Sequence, residues 1–254
     1  MAILREYYRP QSVGEAAGLL ARGGGHLLAL AGGTKLIGLL ETRTAPEVEG
    51  VVDLRSAGLD YVRSVEGALH VGAMCTLAAL TEHAEAAALA GGLLLRAVRG
   101  EGPVNLRNAA TVGGAVACAE YDSEFYAALL ALGASVTVLL TSSAPPAHNS
   151  AGERTTLLAE MGPVHGLVLE VQIPLGAASG GAARIARTPS DRPIVAALAA
   201  RGHGGVRVAL CGVAQRPVPE GMPLDPPDDF KASREYRLAM ASIVARRARA
   251  ELGE

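Results

Sequence analysis

The chain has 254 residues, half of them apolar, with no Trp, two Phe and a formal net charge of −2. That length can bury a proper core in one large or two modest domains, and the shortage of aromatics means a core built from Ala, Leu and Val. The near-neutral balance leaves no electrostatic footprint for nucleic acid or for an anionic membrane, so neither is expected as a partner.

In chain order, residues 3–9 are a short strand candidate, and PQSVGEAAGLLARGGG follows as a helix with Ser12 and Glu15 as a capping box and residues 23–25 as its stop. HLLALAGGTKLIGLLE supplies a strand, a glycine turn and a short helix, and VEGVVDL a further strand, so the first fifty residues alternate β and α as a small parallel sheet does. YVRSVEGALHVGAM reads as a hairpin turning at Glu66 and Gly67. TLAALTEHAEAAALAGGLLLRAV reads as helical, FYAALLALGASVTVLL as a helix and a strand, residues 142–155 as an exposed loop rich in Ser, Pro and Gly, and GLVLEVQIP as a strand. A composition shift at residues 176–183 marks a domain boundary. Beyond it, antiparallel strands turn around residues 202–205, a proline-rich connector follows, and a last helix starts near Lys231.

No apolar run reaches the ~20 residues of a membrane-spanning helix, and MAILREYYRP meets charge too early for a signal peptide; no membrane insertion is expected, and the chain reads as cytoplasmic. Cys75, Cys118 and Cys211 lack CxxC spacing and read as small buried residues, with no metal or iron–sulfur cluster on this chain.

Two stretches carry the chemistry. LALAGGTKL, residues 28–36, puts Gly32, Gly33 and Thr34 where a strand turns into a helix. NLRNAATVGGAVA, residues 105–117, runs from turn-forming residues through a hydroxyl and two glycines into small helix formers. Glycines let a ligand reach the backbone without meeting a Cβ, and free amides at a helix start suit a phosphate, so the pair could hold the two phosphates of one dinucleotide. The alternative is that both are ordinary tight turns. Walker, GxGxxG and GxSxG patterns are absent, and the scattered histidines read as structural or exposed.

These strings, with VVDLRSAGLDYV, LHVGAMCTLAAL, LVLEVQIP and DFKASREYRLAM in the same order, resemble the FAD-binding medium subunit of molybdenum hydroxylases of the carbon monoxide dehydrogenase and xanthine dehydrogenase type, over nearly the whole chain. The resemblance implies an α/β (α+β) chain: a two-subdomain FAD-binding fold of the vanillyl-alcohol-oxidase/PCMH type over residues 1–175 (about 1–57 and 58–175), then a small α/β C-terminal domain over 176–254. It implies FAD held noncovalently, since Thr34 stands where covalent relatives of this broader fold carry a His. Ala29, Leu30, Ala31, Gly32, Gly33, Thr34, Lys35 and Leu36 match the family's first FAD loop, and Thr111, Val112, Gly113, Gly114 and Ala115 its second. Backbone amides of both would bind the pyrophosphate, with the Thr111 hydroxyl adding a contact.

Glu124 falls where the family carries an Asp that bonds the adenosine part, and Val168 and Arg184 fall near positions that approach the flavin ring. The chain departs from the pattern at Ala115, where Asn is common, and at EYDSEF, which replaces a segment close to SPAGDL. The implied function is electron relay: a [2Fe-2S] small subunit and a molybdenum-cofactor large subunit as partners, an external electron acceptor, and no catalytic residue on this chain. An FAD-less paralogue serving as an assembly or docking subunit, and a stand-alone flavin reductase of the same superfamily, are the other readings.

Overall fold

The β–α alternation of the first fifty residues produces the expected parallel sheet. In the computed structural model, which describes residues 4–140 and 152–253, this part comprises β1 (Glu6–Tyr8), α1 (Val13–Arg22), β2 (Leu27–Leu30), α2 (Leu36–Glu41) and β3 (Gly50–Asp53), paired in parallel in the order β1-β3-β2. The capping box is real at one end: the Ser12 hydroxyl accepts from the Glu15 amide at 3.2 Å, while the Glu15 carboxylate accepts from the Gln11 amide, one residue earlier than the usual partner. Central β3 is buried along its whole length, consistent with its run of apolar residues.

The second part comprises β4 (Val62–Val65), β5 (Ala68–Gly72), α3 (Leu77–Glu82), α4 (Ala84–Gly100), α5 (Val104–Ala109), α6 (Val112–Cys118), α7 (Glu124–Leu132), β6 (Ser135–Leu140), β7 (Glu153–Leu157) and β8 (Gly166–Pro174). Its antiparallel sheet has the order β4-β5-β8-β6-β7. Glu66 and Gly67 take positive φ, 49° and 80°, as a two-residue hairpin turn requires. The helical stretch expected over residues 76–98 is interrupted: Thr76 caps α3, His83 ends it, and residues 89–92 leave helical geometry, with Ala90, Gly91 and Gly92 at φ 51°, 65° and 83°. The exposed loop expected over 142–155 is shorter at its far end, because β7 begins at Glu153 and the Thr155 hydroxyl bonds that of Thr137 at 2.8 Å; residues 142–151 lie outside the described residues, as does residue 3 of the first strand candidate.

The third part comprises β9 (Ser179–Ile185), β10 (Val195–Gly202), β11 (Gly205–Cys211), β12 (Val218–Pro219) and α8 (Arg234–Ala250), with the antiparallel order β12-β11-β10-β9. The glycine-rich stretch read as a boundary is largely strand β9, and its glycines answer to packing on both faces. A Cβ on Gly180 would stand 2.5 Å from the Ala90 carbonyl, and one on Gly181 2.1 Å from that of Ala248 in α8. β10 shows why alanine suits this layer: Ala196, Leu198 and Ala200 join the main core, while Val195, Ala197 and Ala199 pack with Ala241, Val244 and Ala248 of α8. α7, apolar all round after its first residue, is buried along its full length against α4, β10 and β11.

Glu124 opens that helix and is buried with it. Its Oε1 lies 3.4 Å from Nε of Arg184, and Oε2 has no hydrogen-bond partner among the described residues. Burial pushes its pKa up to about 7, with the Arg184 guanidinium opposing and Glu101 adding to the rise. The folded state therefore holds this proton more tightly than the unfolded chain: the stabilisation is complete below the ordinary Glu range and is lost as pH rises through about 7. While the group titrates, the loss approaches ~1.4 kcal/mol per pH unit. Glu124→Gln should remove this dependence, so its urea midpoint relative to the parent should rise steadily from about pH 5 to about pH 8. A pH-independent difference would overturn the assignment.

Candidate functional site

Four segments converge on a cleft of about 460 Å³: the β2–α2 turn, the α5–α6 junction, the residues after β5, and the start of β8. The first turn leaves strand β2 at Leu30 and enters α2 at Leu36, and Gly33 takes φ +74°, which a side chain would strain. Lys35 makes no side-chain cap bond, and the amides of residues 32–36 find no hydrogen-bond partner among the described residues. Five consecutive unpaired donors leading into a helix are groups of the kind that can receive an anion.

The second turn is different. Thr111 caps α6 by accepting from the Gly114 amide at 3.1 Å, and the amides of Val112, Gly113 and Ala115 donate to the carbonyls of Cys75, Ala73 and Thr111 at 2.9 Å each. The expectation that amides of this turn bind the pyrophosphate is therefore corrected for residues 112–115: the Val112 and Gly113 donors hold the turn to the β5–α3 segment, and those of Gly114 and Ala115 are used by Thr111 within the turn. What the turn offers a ligand is the Thr111 amide and hydroxyl protons, apolar contact and room. The room is local to Gly114, where an added Cβ would meet only Thr111 Oγ1 at 3.0 Å and Ala31 Cβ at 3.9 Å, whereas one on Gly113 would stand 2.5 Å from the Cβ of Ala73.

Apolar residues from both halves line the rest, including Leu54, Leu77, Leu167 and Val168. A register shift between Thr137 and Val138 leaves Leu169 as the extra residue of β8, and its carbonyl accepts from the Ala73 amide at 2.9 Å. One wall is ionic. Arg192 pairs with Glu101 and, at 2.8 Å, with Asp122, and Lys231 reaches Asp122 at 2.7 Å. Burial works against the charge on Arg192, and Glu101 and Asp122 more than offset it. At the mouth, Lys35 and Glu120 meet at 2.6 Å across the two turns. Arg107 also lines the cleft, with a carbonyl bond to Gly102.

Of the residues singled out in the sequence, Ala29, Ala31, Gly32, Gly33, Thr34, Lys35, Leu36, Thr111, Gly113, Gly114, Ala115 and Val168 line this cleft; Leu30, Val112, Glu124 and Arg184 do not. Val112 is fully buried. The Arg184 guanidinium turns to the carbonyls of Pro189 and Asp191 and to Glu124, so the expected approach of Glu124 and Arg184 to a cofactor is replaced by their facing each other behind the wall. Cys75 and Cys211 are buried as expected, but Cys118 is exposed and lines the cleft, because α6 ends there. The residues missed are Glu101, Arg107, Glu120 and Arg192. Arg107 lay inside the second glycine stretch; Glu101 and Arg192 pair across 91 residues, which no local pattern announces.

The sequence profile of the FAD binding domain in molybdopterin dehydrogenase matches residues 3–176. The Escherichia coli (strain K12) uncharacterized protein YgfM is 29% identical over 218 residues, which are 84% of this chain and 76% of that one. A chain of the CO dehydrogenase of Oligotropha carboxidovorans has the same fold, with a TM-score of 0.82 at 24% identity, covering 99% of this chain and 98% of its own length. A chain of quinoline 2-oxidoreductase from Pseudomonas putida 86 gives 0.80 at 25% identity, covering 100% and 98%. With more than half of its length matched by the profile and the expected α/β fold observed throughout, the chain belongs to the family of FAD-binding domains of molybdopterin dehydrogenases, and FAD is its cofactor.

Proposed function

We propose that this chain is the electron-relay subunit of a molybdenum hydroxylase, taking electrons from a [2Fe-2S] small subunit that is fed by a molybdenum-cofactor large subunit and passing them to an external acceptor. The observation that carries the reading is the array of five unpaired amides in the β2–α2 turn, opening on an apolar cleft. That combination fits FAD: an anion site for the pyrophosphate beside walls suited to a planar ring system. Chains of CO dehydrogenase and quinoline 2-oxidoreductase sharing the fold support the assembly, and a cytoplasmic location is part of the same reading.

In this reading the amides of residues 32–36 and the Thr111 hydroxyl receive the pyrophosphate, with Lys35 and Arg107 as nearby cations. Ala29, Ala31, Gly114, Ala115 and Val168 supply close apolar contact, and Leu54, Leu77 and Leu167 keep water from the ring. FAD, when bound, would supply the redox chemistry that can link one-electron to two-electron transfer. The chain's own residues bind and orient; none needs to act as a general acid or base. No histidine lines the cleft among the described residues, which supports noncovalent attachment. The division into 1–57, 58–175 and 176–254 is proposed on the ground that each span carries one sheet.

Acid precipitation should release FAD from the purified protein, and Gly114→Val should weaken FAD binding at least about tenfold, ~1.4 kcal/mol, in a variant whose circular dichroism and melt match the parent. Gly32→Ala, by contrast, should lose stability before affinity, since its Cβ would stand 1.8 Å from the Ala109 carbonyl. Full FAD affinity in folded Gly114→Val would remove the second turn from the site.

The relay itself predicts that the chain copurifies with an iron–sulfur chain and a molybdenum chain, and that substrate bleaches the FAD only when all three are present. Rapid substrate-driven bleaching by this chain alone would favour a stand-alone reductase instead.

A further inference from the structure

The third part reaches the cleft through one side chain: among the described residues that line it, Arg192 alone comes from beyond residue 176. Arg192 stands in the connection between β9 and β10, which is closed on itself. The Asp191 amide donates to the Thr188 carbonyl at 3.2 Å, the Ile194 amide to the Ile185 carbonyl at 2.7 Å, and Arg184 to the carbonyls of Pro189 and Asp191. From this base the Arg192 guanidinium is fixed by two carboxylates, Asp122 accepting from Nη1 at 2.8 Å and Glu101 accepting from Nη2. Its Nε has no hydrogen-bond partner among the described residues and is not sealed from water. The arginine side chain is 30% exposed and its two carboxylate partners 7% and 5%, so the cleft meets the cation more than its counter-charges.

FAD brings two polar demands to such a cleft. The pyrophosphate is served by the amides of residues 32–36 and by Thr111, with Lys35 and Arg107 as cations. The flavin ring also carries an edge of accepting oxygen and nitrogen atoms, which burial penalises unless donors meet it. Leu54, Leu77, Leu167 and Val168 have no side-chain donor, and the Ser123 hydroxyl is spent on Glu101 at 2.7 Å. Arg192 is the charged donor of the cleft that the pyrophosphate leaves free. A charge beside the ring also acts on its redox equilibrium. Taking up two electrons and one proton leaves the ring with one negative charge, and a fixed cation stabilises that form over the oxidised one.

We propose that Arg192 sets the redox potential of bound FAD: held by Glu101 and Asp122, it donates from Nε to the polar edge of the flavin ring, and its charge favours the reduced form. The third part is then a piece of the cofactor site, and the Glu101 carboxylate beside Arg192 acts on the potential with the opposite sign. The inference rests on FAD being the cofactor of this chain.

The test is the midpoint potential of FAD in the loaded full chain at pH 8, read against a reference dye, together with the affinity for oxidised FAD. Arg192→Gln should lower the potential, and Glu101→Gln, which keeps an oxygen for the Ser123 hydroxyl and the Phe125 amide, should raise it. Each shift should amount to at least a tenfold change in the preference for reduced over oxidised FAD, about 30 mV for a two-electron couple. Arg192→Lys, which keeps the charge, should stay within about threefold of the parent on the same scale. The opposite signs discriminate: both Gln variants break the same ion pair, so a pair that merely holds the wall together would move both potentials the same way. Should Arg192→Gln fail to fold because it strands two carboxylates, the other two variants decide. A potential unchanged or lowered in Glu101→Gln, or shifted tenfold in Arg192→Lys, overturns the proposal. So does an equal loss of affinity for both redox forms at unchanged potential, which would put the adenosine part at this wall. Flavin absorbance of each sample separates the two levels: a parent chain that takes up no FAD overturns the cofactor assignment and this inference together, whereas unmoved potentials in FAD-loaded variants overturn this inference alone.

Discussion

Everything at the cleft depends on two turns that are each seated against a neighbouring backbone with almost no side chain between: the first against the α5–α6 junction, the second against the segment after β5. Gly32 is seated against the Ala109 carbonyl and Gly113 against Ala73, at distances that leave no space for a methyl group. These glycines fix where the backbones lie. Once they are fixed, the other two glycines acquire their own meaning: Gly33 provides the positive φ that turns β2 into α2, and Gly114 leaves the space a ligand would fill. Four glycines that look alike in the sequence thus divide into two that seat the turns against neighbouring backbone and two that set a positive φ or leave open space.

The same approach decides where hydrogen-bonding capacity remains. The α6 turn spends its amides on Ala73, Cys75 and its own threonine, which makes it a rigid wall. The α2 turn spends none over residues 32–36, and so its donors remain available. A helix N-terminus is an anion site only while its donors are unpaired, and of these two superficially equivalent turns one meets that condition.

Behind the wall lies a buried ionic layer joining the cleft to the third sheet. Arg192, Glu101, Asp122 and Lys231 form one part of it. Arg237, fully buried, forms another, donating to the Ile194 and Gly212 carbonyls and pairing at 2.7 Å with Asp229. Burial alone would raise Asp229, but bonds from Arg237 and Tyr121 bring it down to about 2. Such pairs add little net stability when intact, yet removing one partner strands the other, at a cost of about 3–5 kcal/mol. Through Arg237 they tie α8 to the Ile194 and Gly212 carbonyls beside the third sheet. This layer was invisible in the sequence, because its members are scattered between residues 101 and 237 and only folding brings them together. What could be read was local: the parallel opening, the hairpin at Glu66 and Gly67, the all-apolar α7, and both glycine turns. The break in α4 was missed because AGG inside an alanine-rich run keeps helical composition, and β9 was missed because glycines demanded by packing look the same as glycines in a linker.

The ion pair at the mouth shows how little the protein has to give up to admit an anion. Lys35 and Glu120 lie 2.6 Å apart, but the lysine side chain is 52% exposed, and pairs of that kind contribute about 0–1 kcal/mol. Lys35 sits at the end of the unpaired amide array, so a phosphate placed there would draw on the helix start and on the lysine together. Glu120, with a side chain 30% exposed, would then be left partly solvated, unlike the carboxylates of the buried layer. An exposed, weakly held pair at the entrance and tightly satisfied pairs behind it let the cleft respond to a ligand without disturbing the framework that forms it.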